Sequence, residues 1–299
     1  MSATVKLDFI KVTKPRPLVA HVQLARGPVN AFHAEFWKEY VAVFDNVREW
    51  YGDVRAVVLS SSLPKVFCAG IDFEDLLDLK NSPSTDPART AVALRRHVLA
   101  FQAAISSPER CPVPVIAAIH GVAYGLAVDL IAGCDIRYAA SNTMFSIKEV
   151  DVGLAPDIGT LARLRHISSN ASLGAELAYT ARTFSAEEAF RLGIVSRVVE
   201  GGMDEVVRES LDLAEEVARK SPIAVTGAKH LLMHARDHSV GENLEYTATW
   251  NAAMLQTEDI LKAVRVARSK GRGEVNFEPL PMDIVPSASR SDAKPKPKL

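Results

Sequence analysis

Three carboxylates stand where the chain otherwise places small and apolar residues: Asp129 within Tyr124-Gly-Leu-Ala-Val-Asp129-Leu-Ile-Ala-Gly-Cys134, then Glu149 and Asp157 within Lys148-Glu-Val-Asp-Val-Gly-Leu-Ala-Pro-Asp157. An ionised carboxylate loses several kcal/mol on burial unless it is paired or neutral. Three such groups in one short stretch, with few cations between them, point to proton transfer rather than to a solvated face. Each also has a plain structural reading. Asp129 would bond backbone or Arg137; Asp157 would cap a helix beginning near Gly159; Glu149 would be a surface charge. Asp151 is assigned to solvent or a local turn.

Two turns offer the complementary chemistry. Ala69-Gly-Ile-Asp72 follows a strand and precedes a helix starting near Asp72 or Phe73, and Gly125-Leu126 opens a second helix after a second strand. Free N–H groups at such turns can hold a developing oxyanion. One such turn more simply reads as a tight βα connection that needs Gly70. Two of them, each close to a carboxylate-bearing apolar segment, favour a paired oxyanion hole.

Elements of both kinds must position these groups. Val5–Ile10 and Leu18–Leu24 read as strands pairing across Lys14–Pro17. Residues 34–50 carry Phe36, Tyr40, Val41, Phe44, Val47 and Trp50 at helical spacing. Ala56–Ser60, Val66–Gly70, Val113–Ile119, Asp135–Ala139 and Met144–Lys148 read as strands or their ends. Helices are predicted over Thr90–Ser106, Thr160–His166, Ala171–Thr180 and Ser185–Leu192, the last with a Ser185/Glu188 capping box. Further helices are predicted over Val206–Lys220, Ile223–Arg236 and Gly241–Ser269. The Pro-rich 80–90 stretch reads as a mobile surface loop, and 271–299 as poorly ordered. The alternation predicts an α/β fold with a helical C-terminal part.

Composition narrows the function. The 299 residues are 48% hydrophobic and 24% charged with net charge −1, which gives no electrostatic reason to expect nucleic acid or an anionic membrane surface. Cys68, Cys111 and Cys134 are too scattered for a disulfide framework or metal cluster and read as buried thiols in a reducing compartment. His230 and His234 stand at i, i+4 on a helix, but no third ligand is evident, so no metal site is expected. GxSxG, Walker A and GxGxxG patterns are absent. No apolar run approaches a membrane span, and the N-terminus reads as a strand rather than a signal peptide or presequence.

Over residues 5–267 the chain resembles the crotonase (enoyl-CoA hydratase/isomerase) superfamily. The matching pieces are Phe67-Cys-Ala-Gly-Ile-Asp72, Pro114-Val-Ile-Ala-Ala-Ile-His-Gly121, Cys134-Asp-Ile-Arg137 and Phe184-Ser-Ala-Glu-Glu-Ala-Phe-Arg-Leu-Gly-Ile-Val195. The resemblance implies a ββα-spiral catalytic core over residues 1–200, a helical trimerisation lobe over 201–270 and a flexible tail over 271–299. It also implies homotrimers or homohexamers, an acyl-CoA thioester as substrate, and no cofactor beyond the coenzyme A of that substrate. Oxyanion donors fall on Ile71 and Leu126, where relatives commonly have Gly at the second position. Ala69, Gly70, Ile71, Asp72, Phe73 and Gly125 fall along the CoA and substrate path.

Hydratases of this superfamily carry Glu at the positions of Asp129 and Glu149, and usually Gly at that of Asp157. The trio here looks like the dienoyl-CoA isomerase branch, which shifts two double bonds together. Its implied roles are Glu149 as base at C2, Asp157 as acid at C6, and Asp129 orienting the diene or tuning its neighbours. Two separated acids suit a dienolate whose ends lie far apart. The alternatives are a Δ3-Δ2-enoyl-CoA isomerase, a 2-enoyl-CoA hydratase, or a non-catalytic binding subunit. The final Pro297-Lys298-Leu299 resembles an SKL-type peroxisomal address, so a peroxisomal import receptor is an expected partner and the peroxisome, ahead of the mitochondrion, the expected location.

Overall fold

The computed structural model describes residues 6–78, 84–269 and 275–281. The chain opens with β1 (Ile10–Arg16) and β2 (Val19–Leu24), followed by α1 (Ala34–Tyr51), β3 (Ala56–Ser61) and β4 (Val66–Cys68). Helices α2 (Phe73–Asp78), α3 (Pro87–Ile105) and α4 (Ser107–Arg110) precede β5 (Val115–Ile119), β6 (Val122–Tyr124) and α5 (Leu126–Ala132). Then come β7 (Ile136–Ala140), β8 (Met144–Ser146) and a 3-10 turn at Glu149–Val152. Helices α6 (Thr160–Ile167) and α7 (Ala171–Thr180), β9 (Phe184–Ser185), α8 (Ala186–Leu192) and β10 (Arg197–Val199) complete the core sequence. Four helices follow: α9 (Met203–Ala218), α10 (Pro222–His234), α11 (Val240–Met254) and α12 (Glu258–Arg268).

The strands form two sheets. The larger has the order β1-β2-β3-β5-β7-β10 and the smaller β4-β6-β8-β9. From β3 to β8 the chain repeats one move three times: a strand in the large sheet, a short strand in the small sheet, then a helix or turn. This is the ββα spiral expected from the sequence. Strands β3 and β5 are buried at every position, as parallel strands covered on both faces must be. Gly121 makes the β5-to-β6 step possible. It lies at φ +60° with the Lys65 carbonyl packed where a Cβ would sit.

The main core joins the inner face of the sheets to α1, α5 and α8 through Phe36, Tyr40, Phe44, Leu130, Ile131 and Leu192. The other face of the large sheet is covered by α9, whose Val206, Leu211, Ala214 and Ala218 pack on Val19, Val58 and Ile116. Thus α9, counted with the helical lobe in the sequence division at residue 200, is bound directly to the sheet. All three cysteines are buried and free, with burial pushing the Cys68 and Cys134 thiols up to about 12.

Several boundaries differ from the sequence reading. The first strand is Ile10–Arg16 and includes Pro15, because β1 is an edge strand where a missing N–H costs no ladder bond. Helix α3 starts at Pro87 behind an Asp86 cap, not at Thr90. Of the 80–90 stretch, residues 80–83 lie outside the described residues. The single helix expected over 241–269 is broken at 255–257, where the Thr257 hydroxyl accepts from the Asp259 N–H and starts α12 anew. Ser185 caps α8, but the Glu188 carboxylate binds Arg182 at 2.6 Å instead of closing a capping box.

Candidate active site

The two glycine turns come together. A Cβ on Gly70 would lie 3.4 Å from the Tyr124 carbonyl and 3.9 Å from the Leu126 nitrogen. Both glycines have positive φ, +111° at Gly70 and +56° at Gly125, which aims the following amides into the space between the turns. At the first turn, the Phe32 N–H donates to the Gly70 carbonyl at 2.9 Å and the Asp72 N–H to the Phe32 carbonyl at 2.8 Å. The intervening Ile71 N–H faces away from that bridge. At the second turn, Leu126 is the first residue of α5 and has no preceding turn to donate to. Among the described residues, neither N–H meets an acceptor, and Ile71 and Leu126 border one open position.

That position opens into an apolar cavity of about 320 Å³. Ala69, Gly70, Ile71, Phe73, Gly125 and Leu126 line it, and so do Asp129, Glu149 and Asp157. Asp72 does not. Its carboxylate pairs with Arg26 at 2.8 Å and caps the Glu74 N–H at 3.1 Å, which makes it a support for the turn.

Each acid is held differently. Asp129 is 1% exposed, and its Oδ1 accepts from the Thr160 N–H at 2.6 Å. Arg137, its expected partner, donates instead to the Ile194 and Cys134 carbonyls, each at 2.6 Å. Glu149 sits in the 3-10 turn with its Oε1 3.7 Å from where a Gly125 Cβ would be, beside the converging donors. Its Oε2 is buried with no hydrogen-bond partner. Asp157 caps no helix, since α6 is entered through Gly159; its own carbonyl accepts from Gln102 Nε2 at 2.5 Å. Asp151 pairs with Lys148 at 2.5 Å on the surface, as its sequence position suggested.

These surroundings make all three carboxyls weaker acids than usual. Burial raises Glu149, and the charge of Asp157 adds to it while backbone N–H groups oppose it. Burial raises Asp157 against an opposing contribution from His97. Burial, followed by the nearby Glu149 charge, pushes Asp129 up to about 7.

A stability effect follows for Asp129. The unfolded carboxyl titrates near pH 4, so the native state binds this proton more tightly. The resulting stabilisation is fully present below that value and is lost as pH rises through about 7. Asp129→Asn keeps an acceptor for the Thr160 N–H and never ionises. It is expected to melt higher than wild type at pH 8.5, by up to roughly 4 kcal/mol, with little difference near pH 4. Thermal melts at the two pH values check this.

One wall of the cavity was not anticipated. Leu94, His97, Val98 and Phe101 line it from α3, at i, i+3, i+4 and i+7. That stripe was a readable signal; what it would face was not. His230 and His234, the pair weighed as metal ligands, are engaged otherwise. His230 Nε2 meets the Tyr246 hydroxyl at 2.7 Å and its ring stacks on Trp250; His234 Nδ1 meets Asn243 Oδ1 at 2.8 Å and its ring stacks on Tyr246. The pair joins α10 to α11.

Residues 16–272 match the family described as Enoyl-CoA hydratase/isomerase. A rat protein named mitochondrial Delta(3,5)-Delta(2,4)-dienoyl-CoA isomerase is 46% identical over 265 residues, which are 88% of this chain and 80% of that one. An Arabidopsis thaliana protein named as the peroxisomal Delta(3,5)-Delta(2,4)-dienoyl-CoA isomerase is 43% identical over 81% of this chain and 86% of its own length. Among solved structures, an enoyl-CoA hydratase from Bacillus anthracis superposes with a TM-score of 0.77 at 26% identity, covering 91% of this chain and 98% of that one.

Proposed function

Because the chain belongs to the enoyl-CoA hydratase/isomerase family, we propose that it converts 3,5-dienoyl-CoA thioesters to their 2,4-dienoyl isomers. The observation that carries this reading is the third carboxyl. Asp129, Glu149 and Asp157 share one apolar cavity with two unpartnered N–H groups. Hydration of a 2-enoyl thioester, or a single double-bond shift, has no use for an acid at Asp157.

The reaction divides between the two ends of the diene. Ionised Glu149 takes a proton from C2, and its raised proton affinity makes it the better base for so weak a carbon acid. The C2–H electron pair moves into a dienolate whose charge rests largely on the thioester oxygen, held by the Ile71 and Leu126 N–H groups. Neutral Asp157 donates a proton to C6 as the electrons return. Asp129 orients the diene or sets the charge state of Glu149, its neighbour in the cavity. Ala69, Gly70, Phe73 and Gly125 line the substrate path. No electrons leave the substrate, so no redox group is required, and coenzyme A enters as part of the substrate.

The exposed Leu232, Val240, Leu244 and Leu255 on or beside α10 and α11 support an oligomer built through the helical lobe, a homotrimer or a pair of them. The tail tripeptide Pro297-Lys298-Leu299, outside the described residues, supports delivery to the peroxisome by an import receptor. The rat relative is named mitochondrial and the plant one peroxisomal. Deleting the tripeptide from a tagged chain should disperse it from peroxisomes; an unchanged location would refute that address.

The activity is tested with 3,5-octadienoyl-CoA, following the ultraviolet absorbance gained when the diene enters conjugation with the thioester. Turnover that disappears in Glu149→Gln is the expected result. No turnover there, with hydration of a 2-enoyl-CoA or isomerisation of a 3-enoyl-CoA, would move the assignment to the corresponding enzyme.

A further inference from the structure

Behind the loop that carries Asp157 lies a second cavity of about 610 Å³, more polar than the acyl cavity. The two share Asp157 and Ile158 as a common wall. On the far side of that wall one carboxylate takes two guanidinium groups. Glu109 accepts from Arg163 Nε at 2.8 Å and Nη2 at 2.7 Å, and from Arg236 Nη1 at 2.6 Å. Arg163 Nη2 also donates to Ser106 Oγ at 2.8 Å. The three side chains come from α4, α6 and the segment just past α10, and none of them lines the acyl cavity. Glu109 is 12% exposed and Arg163 15%. Ion clusters buried to this degree give little net stability, but they fix geometry.

The contact that matters is with Gly159. A Cβ there would overlap Arg163 Nη1 and would lie 3.7 Å from Asp129 Oδ1. The guanidinium thus lies against the bare face of Gly159, two residues after Asp157 and one before Thr160, whose N–H holds Asp129. At the other end of the loop, Gln102 holds the Asp157 carbonyl. The segment 157–160 is gripped from behind at both ends.

We propose that Glu109, Arg163 and Arg236 are positioning residues, a brace through which the C-terminal helical lobe sets the 157–160 loop and with it the reach of Asp157 toward the far end of the diene. This inference rests on the dienoyl isomerase reading. The N–H donors and the Ala69–Phe73 turn stand on other elements, so loosening the brace leaves thioester binding in place. Delivery at C6 suffers most, and removal at C2 only as far as the Thr160 hold on Asp129 shifts.

Arg236→Met removes one charge of the brace while keeping the length of the stem. Gly159→Ala displaces the Arg163 guanidinium without removing a charge. Each is expected to lower kcat on 3,5-octadienoyl-CoA about tenfold or more, because a misplacement near 1 Å can cost that much. KM should stay within about twofold. Exchange of the C2 hydrogen with solvent deuterium should fall clearly less than kcat. The double variant should lose less than the product of the single losses, since both act on one connected network.

Wild-type kcat in both variants, or a decline of C2 exchange equal to that of kcat, overturns the brace. If Arg236→Met fails to fold, Gly159→Ala decides alone. Wild-type enzyme is assayed alongside. Its silence on the dienoyl substrate would remove the activity reading and this inference with it, whereas wild-type turnover with unaffected variants removes only the brace.

Discussion

Asp157→Asn is expected to lower kcat for dienoyl isomerisation by about 10² to 10⁴ while leaving KM nearly unchanged, the range for loss of one positioned general acid. Asn preserves the shape of the side chain and the carbonyl that Gln102 holds, but it has no proton to give. Glu149 and both N–H donors remain, so the first half of the reaction should survive. In deuterated water the variant should still exchange the C2 hydrogen of substrate while failing to form the 2,4-diene. That separation is the strongest signature of a two-acid mechanism, because a single residue pivoting between C2 and C6 would lose both together. Wild-type activity should also follow a bell in pH. It rises as Glu149 ionises and falls as Asp157 does, and the upward displacement of both carboxyls moves the bell toward neutrality. The two acids share a cavity and interact, so the limbs report the pair rather than either residue. Isomerisation by Asp157→Asn at the wild-type rate would return proton delivery to Glu149.

The groups that line the cavity were legible in the sequence because its parts are local. A glycine after a strand and before a helix exposes the next amides whatever the rest of the chain does, and Gly70 and Gly125 could be picked out on that ground. Carboxylates inside apolar segments are equally visible. What could not be read was which groups would meet once the spiral closed. Arg137 is nearer in sequence to Asp129 than Thr160 is, yet the Thr160 amide takes the carboxylate across 31 positions. Asp72 belongs to the glycine turn, but Arg26 turns its carboxylate away from the cavity. The α3 wall and the Glu109 brace arise in the same way, from helices distant in sequence. Boundaries failed for a related reason: Pro15 reads as turn chemistry until it is known that its strand is an edge.

Leu126→Pro carries the other large effect, since it removes the N–H donor together with the leucine side chain. Proline is tolerated at the first position of a helix, where its missing N–H would have had no intrahelical partner. The residue before it, Gly125, lies at φ +56° and ψ −122°, outside the helical region that a following proline disfavours. Helix α5 should therefore form with one of the two oxyanion donors deleted. Loss of one such donor costs about 10² to 10³ in kcat. The Leu126 side chain is 4% exposed and packs in the core, so its removal has a price of its own. Leu126→Ala measures that separately, because it truncates the side chain and keeps the N–H. The ratio of the two rate constants then isolates the donor. A proline variant no slower than the alanine one would mean that the thioester oxygen is held elsewhere. A hundredfold difference between them would mean that the Leu126 N–H carries charge stabilisation in the reaction and that the leucine side chain does not.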